Sequence, residues 1–235
     1  MKIRIDRFLC HMGIGSRSEI KKFLKTCRVK LNGKFEKSPN TQVDIYKDEI
    51  LFDDEIVIYK EFTYLMLNKP KDYISATFDP KLPTVLELLE FPYSNMELFP
   101  VGRLDIDTTG FLILTNDGKF SYNVTNPKKK VNKKYLVTLR DDISSNQIES
   151  LENGIYFEKE DFTTENAKVE EISKRKIYLT ISEGKFHQVK RMLKYVGNEV
   201  VELKRVSIGN LSLDEKLELG EYREITNTEL EEIFK

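Results

Sequence analysis

Phe111-Leu-Ile-Leu-Thr115 is an apolar run of strand length, bounded by Asp107-Thr-Thr-Gly110 before it and Asn116-Asp-Gly118 after it. Turn chemistry at both ends of such a run marks a short strand that needs burial in a sheet. The rest of the chain has to be arranged around that strand. The surrounding stretch, GRLDIDTTGFLILTNDG (residues 102–118), also carries three carboxylates: Asp105, Asp107 and Asp117. Asp105 then lies on a loop entering a buried strand, and catalytic side chains are often held on such connections. Short acidic residues also cap turns well, so the local pattern leaves both readings open.

At 235 residues the chain can bury a core, as one large domain or two unequal ones. No stretch approaches the roughly eighteen uninterrupted apolar residues of a membrane span, and charges break up the start, MKIRIDRFLCHMG. A cytoplasmic protein with no membrane partner is expected. Cys10 and Cys27 have no His/Cys cluster around them, which points to buried free thiols rather than a disulfide framework or a zinc site. The net charge of −1 hides an asymmetry: residues 1–47 carry twelve Lys and Arg against four acids, near +8, leaving near −9 on residues 48–235. A basic N-terminal piece of this kind suits a polyanionic partner.

Within that piece, Ile5, Phe8, Leu9 and Met12 recur at helical spacing, and Gly13 to Gly15 ends the helix. Ser16-Arg-Ser-Glu19 has the form of a capping box for a second helix. Ile20, Phe23 and Leu24 give this helix an apolar stripe, with Arg17, Lys21, Lys22 and Lys25 on its other faces. Val29-Lys-Leu31 followed by Asn32-Gly33 reads as a strand and a tight hairpin turn. With RIDRFL, GSRSE and RVKLNG at these spacings, residues 2–47 resemble the S4 RNA-binding module. That resemblance implies RNA contact through Arg4, Arg7, Arg17, Lys21, Lys22, Lys25 and Arg28, cations that neutralise phosphates and carry little sequence information.

Residues 48–60 mix acids with two β-rich runs and read as a linker or edge strands between a domain of residues 1–47 and one of 61–235. Beyond them, strands are expected over 64–68, 111–115, 135–139, 167–172, 176–181, 199–203 and 206–208. Helices are expected over 84–89, 144–151, 185–195 and 228–234, with a helical turn or two over 119–124. Tyr135, Val137 and Leu139 share one face of their strand. The pattern is α+β around one mixed, mainly antiparallel sheet.

Several chemistries lack their parts. The two histidines are His11, in the basic piece, and His187, in GKFHQVKR (184–191), where a hydrogen-bonding or RNA-facing role fits better than that of a base. No GxxxxGK[ST] and no GxGxxG after a strand are present, so nucleotide and dinucleotide sites are unsupported. What remains is Asp105, the basic segment holding Lys190 and Arg191, and Tyr135 beside the lysines of 128–134. An enzyme acting on a base within RNA can use an aromatic face, backbone-binding cations and one charged group at the nucleotide. Each part alone also has a plainer reading, Tyr135 as a core aromatic and the cations as a solvated helix face.

LNKPKDYISAT, GRLDIDTTGFLILTNDG, KKYLVTL and ISEGKFHQVKRM, in that order behind the S4-like unit, resemble the RsuA family of pseudouridine synthases over essentially the whole chain. DIDTTG, VVELKR and an end shortly after GEYREIT are similar to the family members acting on small-subunit 16S ribosomal RNA. The alternatives are a 23S enzyme and a non-catalytic RNA-binding assembly factor on the same scaffold. The resemblance implies a small S4-like α-L domain followed by a mixed, mainly antiparallel catalytic sheet with flanking helices. It makes Asp105 the catalytic aspartate, Arg103 its neighbour in the motif, Tyr135 the base-stacking tyrosine and Lys190 the cation paired with the aspartate, with Arg191 in reserve. Lys185, His187, Gln188 and Arg191 join the expected RNA-binding set. Asp72 stands where the family usually has glycine; aspartate tolerates left-handed backbone better than most residues. Lys134 replaces a usually small residue and is expected to face solvent or RNA. Pseudouridine formation changes no oxidation state, so no cofactor and no metal are expected. The implied partner is 16S ribosomal RNA, in an assembly intermediate, acted on by a monomer.

Overall fold

The computed structural model describes residues 1–235, apart from the side chain of Lys159. It divides into two compact units, Met1–Thr63 with Leu86–Phe99, and Tyr64–Val85 with Pro100–Lys235.

In the first unit β1 (Lys2–Arg4) runs into α1 (Ile5–His11), and α2 (Arg17–Lys25) follows. The capping box forms as its sequence requires: the Glu19 amide donates to Ser16 Oγ, and the Ser16 amide donates to Glu19 Oε2 at 2.9 Å. β2 (Val29–Leu31) and β3 (Lys34–Phe35) make the expected hairpin, with Asn32 and Gly33 at φ +50° and +78°. This double positive φ matches a turn twisted like its strands. β4 (Gln42–Asp44) pairs with β1, while β5 (Ile50–Phe52) and β6 (Glu55–Ile56) extend the hairpin into a sheet of order β3-β2-β5-β6. Ile5, Phe8, Leu9, Ile20, Leu24, Val29, Val43 and Ile50 are buried together at the centre. Cys10 and Cys27 are half-buried rather than buried, and both are free thiols.

The second unit is built on the mixed sheet. Its strands are β7 (Tyr64–Lys69), β8 (Phe99–Pro100, of which Pro100 falls in this unit), β9 (Thr109–Thr115), β10 (Lys133–Leu139), β11 (Tyr156–Phe157), β12 (Phe162–Thr163), β13 (Lys168–Ser173), β14 (Lys176–Ile181), β15 (Val200–Ile208), β16 (Leu211–Ser212) and β17 (Tyr222–Glu224). The main path runs β13-β14-β10-β15-β9-β7-β17. The apolar run of β9 is fully buried between β7, antiparallel to it, and β15, parallel to it. Helices α3 (Gly118–Thr125), α4 (Ser145–Glu152), α5 (Gln188–Tyr195) and α6 (Asn227–Glu232) flank the sheet.

Three expectations shift. The two strands expected over 199–203 and 206–208 form a single strand, Val200–Ile208, because β15 pairs along its length with β10 and absorbs the irregularity in register shifts. Residues 84–89 make only a 3-10 turn, Val85–Leu88. Helix α5 begins at Gln188 rather than 185, since His187 sits at φ +48° and Gln188 Oε1 accepts from the amides of Gly184 and Lys185. The segment 184–187 is therefore a turn that presents its side chains, rather than a first turn of helix.

Candidate active site

Two loops meet where β7 ends and β9 begins. Lys69, the last residue of β7, is fully buried, and its Nζ lies 3.0 Å from the carbonyl of Pro70, 3.2 Å from that of Asp105, 3.4 Å from that of Ile106 and 2.9 Å from that of Thr108. One ammonium thus gathers the backbone of the Asp105 loop. Burial pulls its pKa down to about 8, against the opposing charges of Asp107, Asp105 and Asp72. Asp72 has φ +68° and donates its amide to Ile106 O at 2.9 Å, so aspartate keeps the backbone shape that glycine would give. Ser75 Oγ bonds both the amide and the carbonyl of Leu104 at 3.0 Å. KPKDYIS therefore clamps LDID. Gly110, at φ +98°, closes the loop: a Cβ there would meet Arg205 O at 2.2 Å, so only glycine allows β9 to lie this close to β15.

The loop faces a cleft lying within the second unit, lined by Arg103, Asp105, Thr108, Lys133, Tyr135, Glu183, His187, Lys190 and Arg205, among others. Lys190 Nζ is 3.1 Å from Asp105 Oδ2 and 2.6 Å from Asp107 Oδ1, and His187 Nε2 is 3.4 Å from Asp105 Oδ1. Burial raises the Asp107 carboxyl, but the hydrogen bond and charge of Lys190 outweigh it and hold Asp107 below the usual carboxylate range. Burial likewise lowers Lys190, and the two aspartates more than offset it, so its ammonium form is favoured. Tyr135 is buried on the same strand face as Lys133, Val137 and Leu139, opening onto the cleft. Burial pulls Lys133 down to about 8, helped by the charge of Arg205 and opposed by Glu183.

The sequence-based candidates divide clearly. Asp105, Tyr135, Lys190 and His187 come together at the cleft, and Arg103 lies exposed on its lining with no side-chain hydrogen bond or ion pair among the described residues. Arg191 turns elsewhere, to Glu160 at 2.6 Å and over the Phe157 ring at 4.2 Å. Gln188, expected to face RNA, is buried at 3% exposure, and its amide is spent on the 183–185 turn. Lys185 is exposed above the Phe162 ring at 4.6 Å. Lys134 projects from the opposite strand face to Glu170 at 3.0 Å. Asp117 caps α3 through the amides of Lys119 and Phe120 and accepts from Tyr64 Oη at 2.7 Å, the capping role that the local pattern left open. Asp107, for which the local pattern also allowed a turn role, takes the shorter of the two Lys190 contacts. Among the first unit's cations, Arg7, Arg17, Lys21, Lys22 and Lys25 are exposed, whereas Arg4 pairs with Asp6 and Arg28 with Asp53. Sequence reading missed Lys69, Lys133 and Arg205; a lysine ending an otherwise apolar strand was the available signal for the first of them.

Residues 63–195 match the family described as RNA pseudouridylate synthase. The chain belongs to this family. Residues 3–50 match the S4 domain. Among similar proteins, one from Bacillus subtilis described as the uncharacterized RNA pseudouridine synthase YtzG is 47% identical over 97% of each chain. The ribosomal small subunit pseudouridine synthase A of Haemophilus influenzae is 41% identical over 99% of this chain and 100% of its own. The protein of that name in Escherichia coli is 37% identical over 97% and 98%. A crystal structure described as a pseudouridylate synthase superposes with a TM-score of 0.70 at 40% identity, covering 98% of this chain and 99% of that one. The expected fold class holds: an N-terminal S4 domain, then a mixed, mainly antiparallel sheet with helices. A pseudouridine synthase is an isomerase, and in this family its substrate is RNA.

Proposed function

We propose that the protein converts one uridine of small-subunit 16S ribosomal RNA to pseudouridine, with Asp105 as the catalytic group and no cofactor. The observation carrying this reading is the Asp105 carboxylate, 3.1 Å from Lys190 Nζ in the same cleft as the Tyr135 ring, in a member of the pseudouridine synthase family. The flipped nucleotide enters this cleft with its base against Tyr135. The N1–C1′ bond breaks as the carboxylate either captures C1′ or takes the C2′ proton; the uracil turns and C5 bonds to C1′ as the carboxylate departs or the C2′ proton is returned, after which the C5 proton leaves and N1 gains one. Lys190 holds the carboxylate in place, and Arg103 at the rim engages the RNA backbone, as do the free cations of α2. The choice of 16S RNA rests on the near full-length similarity to enzymes named for the small subunit. The enzyme works as a monomer on RNA in an assembly intermediate.

The test is pseudouridine mapping across ribosomal RNA from cells lacking this protein, complemented with wild type or Asp105→Asn. One 16S position should lose its pseudouridine and regain it with wild type alone. Loss at a 23S position would reassign the substrate, and no loss anywhere would favour a non-catalytic assembly role.

A further inference from the structure

The buried lining of the cleft holds charge that the mechanism above does not use. Arg205 is 5% exposed; its Nε donates to Phe111 O at 2.7 Å, while its Nη2 is buried with no hydrogen-bond partner among the described residues. Thr108, 1% exposed and on the same cleft, has its Oγ1 in the same condition. Lys133, 6% exposed, donates to Ser182 O at 3.1 Å, the one hydrogen bond its three-proton ammonium makes among the described residues. Glu183 supplies a single carboxylate nearby, and its oxygens already accept from the Glu165 amide at 2.6 Å and Gln188 Nε2 at 2.9 Å. Arg205 and Tyr135 are direct partners across the antiparallel pair β10 and β15, so their side chains rise from the same sheet face. A buried cation with an unused N–H is costly to maintain. A ligand with acceptor oxygens and negative charge would relieve that cost.

We propose that Arg205, with Lys133 beside it, is a further catalytic residue: it donates to the ring oxygens of the bound uracil and stabilises the negative charge the base acquires when it leaves the sugar. This rests on the reading of the cleft as the place of uridine isomerisation. When N1–C1′ breaks, the bonding pair stays on the base, giving a uracil anion with charge shared by N1, O2 and O4. The electron-deficient C1′ is then captured by Asp105, or neutralised by loss of the C2′ proton to it. The anion needs donors already in place and shielded from water. Two buried cations on the floor supply them, and they hold the detached ring beside Tyr135 until C5 bonds to C1′. The site thus has two poles, a carboxylate at the mouth for the sugar and cations at the floor for the base.

The experiment compares uridine with 5-fluorouridine in the same RNA, in single turnover at saturating enzyme. Fluorine withdraws electron density, so the substituted base leaves with less help. Consumption of 5-fluorouridine reports bond cleavage even though C5 cannot lose a proton. Arg205→Gln keeps a donor for Phe111 O and removes the charge. It should slow uridine conversion by about a hundredfold or more, and 5-fluorouridine consumption by a factor at least about tenfold smaller, with RNA affinity unchanged. If that variant does not fold, Lys133→Met is read in the same way. Equal slowing of both substrates means that the residue only positions the β9 backbone, and no slowing means that it does not meet the base; either overturns the proposal. Asp105→Asn run alongside separates the two levels. Were it active, the reading of the cleft itself would fail. Were it inactive while Arg205→Gln behaved as wild type, only the role of Arg205 would fall.

Discussion

Helices α2 and α5 both carry lysine and arginine beside an apolar stripe, yet the two rows of charge are held differently. On α2, Arg17, Lys21, Lys22 and Lys25 stand exposed, with no side-chain hydrogen bond or ion pair among the described residues. On α5, Lys190 is fixed between Asp105 and Asp107, and Arg191 between Glu160 and the Phe157 ring. Unpaired surface cations displace counterions from a polyanion, which gives affinity without fixed geometry. A cation locked to a carboxylate contributes little net attraction for RNA, but it fixes where that carboxylate points. On the proposed function the first row serves capture, and Lys190 in the second serves chemistry, so the two should come apart under mutation.

The largest separation is expected at Lys190. Lys190→Met should lower the single-turnover rate by about a hundredfold with RNA affinity within about twofold, whereas Arg191→Met, its neighbour in sequence, should cost under about threefold in rate. Quench-flow on a 16S fragment checks both, and equal losses would erase the distinction. Replacing Arg17, Lys21, Lys22 and Lys25 with Gln should have the opposite signature. The slope of log affinity against log salt should fall by roughly 0.7 for each cation that meets a phosphate, with the rate at saturating RNA unchanged.

Buried charge gives a smaller and pH-dependent effect. Lys133 has a pKa of about 8 in the folded chain against 10.5 for an ordinary lysine, so between those values the unfolded chain binds more protons and wild type gains stability as pH rises. Lys133→Met should accordingly be more stable than wild type below pH 8, by on the order of 1–3 kcal/mol, with the gap closing towards pH 10.5. Urea titrations at pH 7 and pH 10 would contradict this if the gap were constant. The smallest effect belongs to Asp117→Ala, which removes the cap of α3 and should cost about 1 kcal/mol in thermal unfolding, leaving turnover near wild type.

Much of the fold was legible because local chemistry and burial agreed. The Ser16–Glu19 box, the Asn32-Gly33 turn, the buried run of β9 and the alternation of β10 each have one economical solution. The pairing of Asp105 with Lys190 was accessible only through family resemblance, since eighty-odd positions separate them and spacing alone cannot bring them together. Lys69, Lys133 and Arg205 were read past for a related reason. In sequence each is an ordinary charge at the end of a strand or within one, and its meaning arises only when neighbouring strands and loops bury it. Gln188 misled in the other direction: a polar residue in a basic segment looks solvent-facing until its own turn consumes its amide.

The central claim is that Asp105 performs the chemistry. It is tested most directly by tritium release from a 16S transcript labelled at uridine C5, in single turnover, with wild type and Asp105→Asn at matched occupancy. Wild type should release one equivalent of label per target site. The variant should bind equally well and release none above background. Release by Asp105→Asn at a rate near wild type would contradict the account.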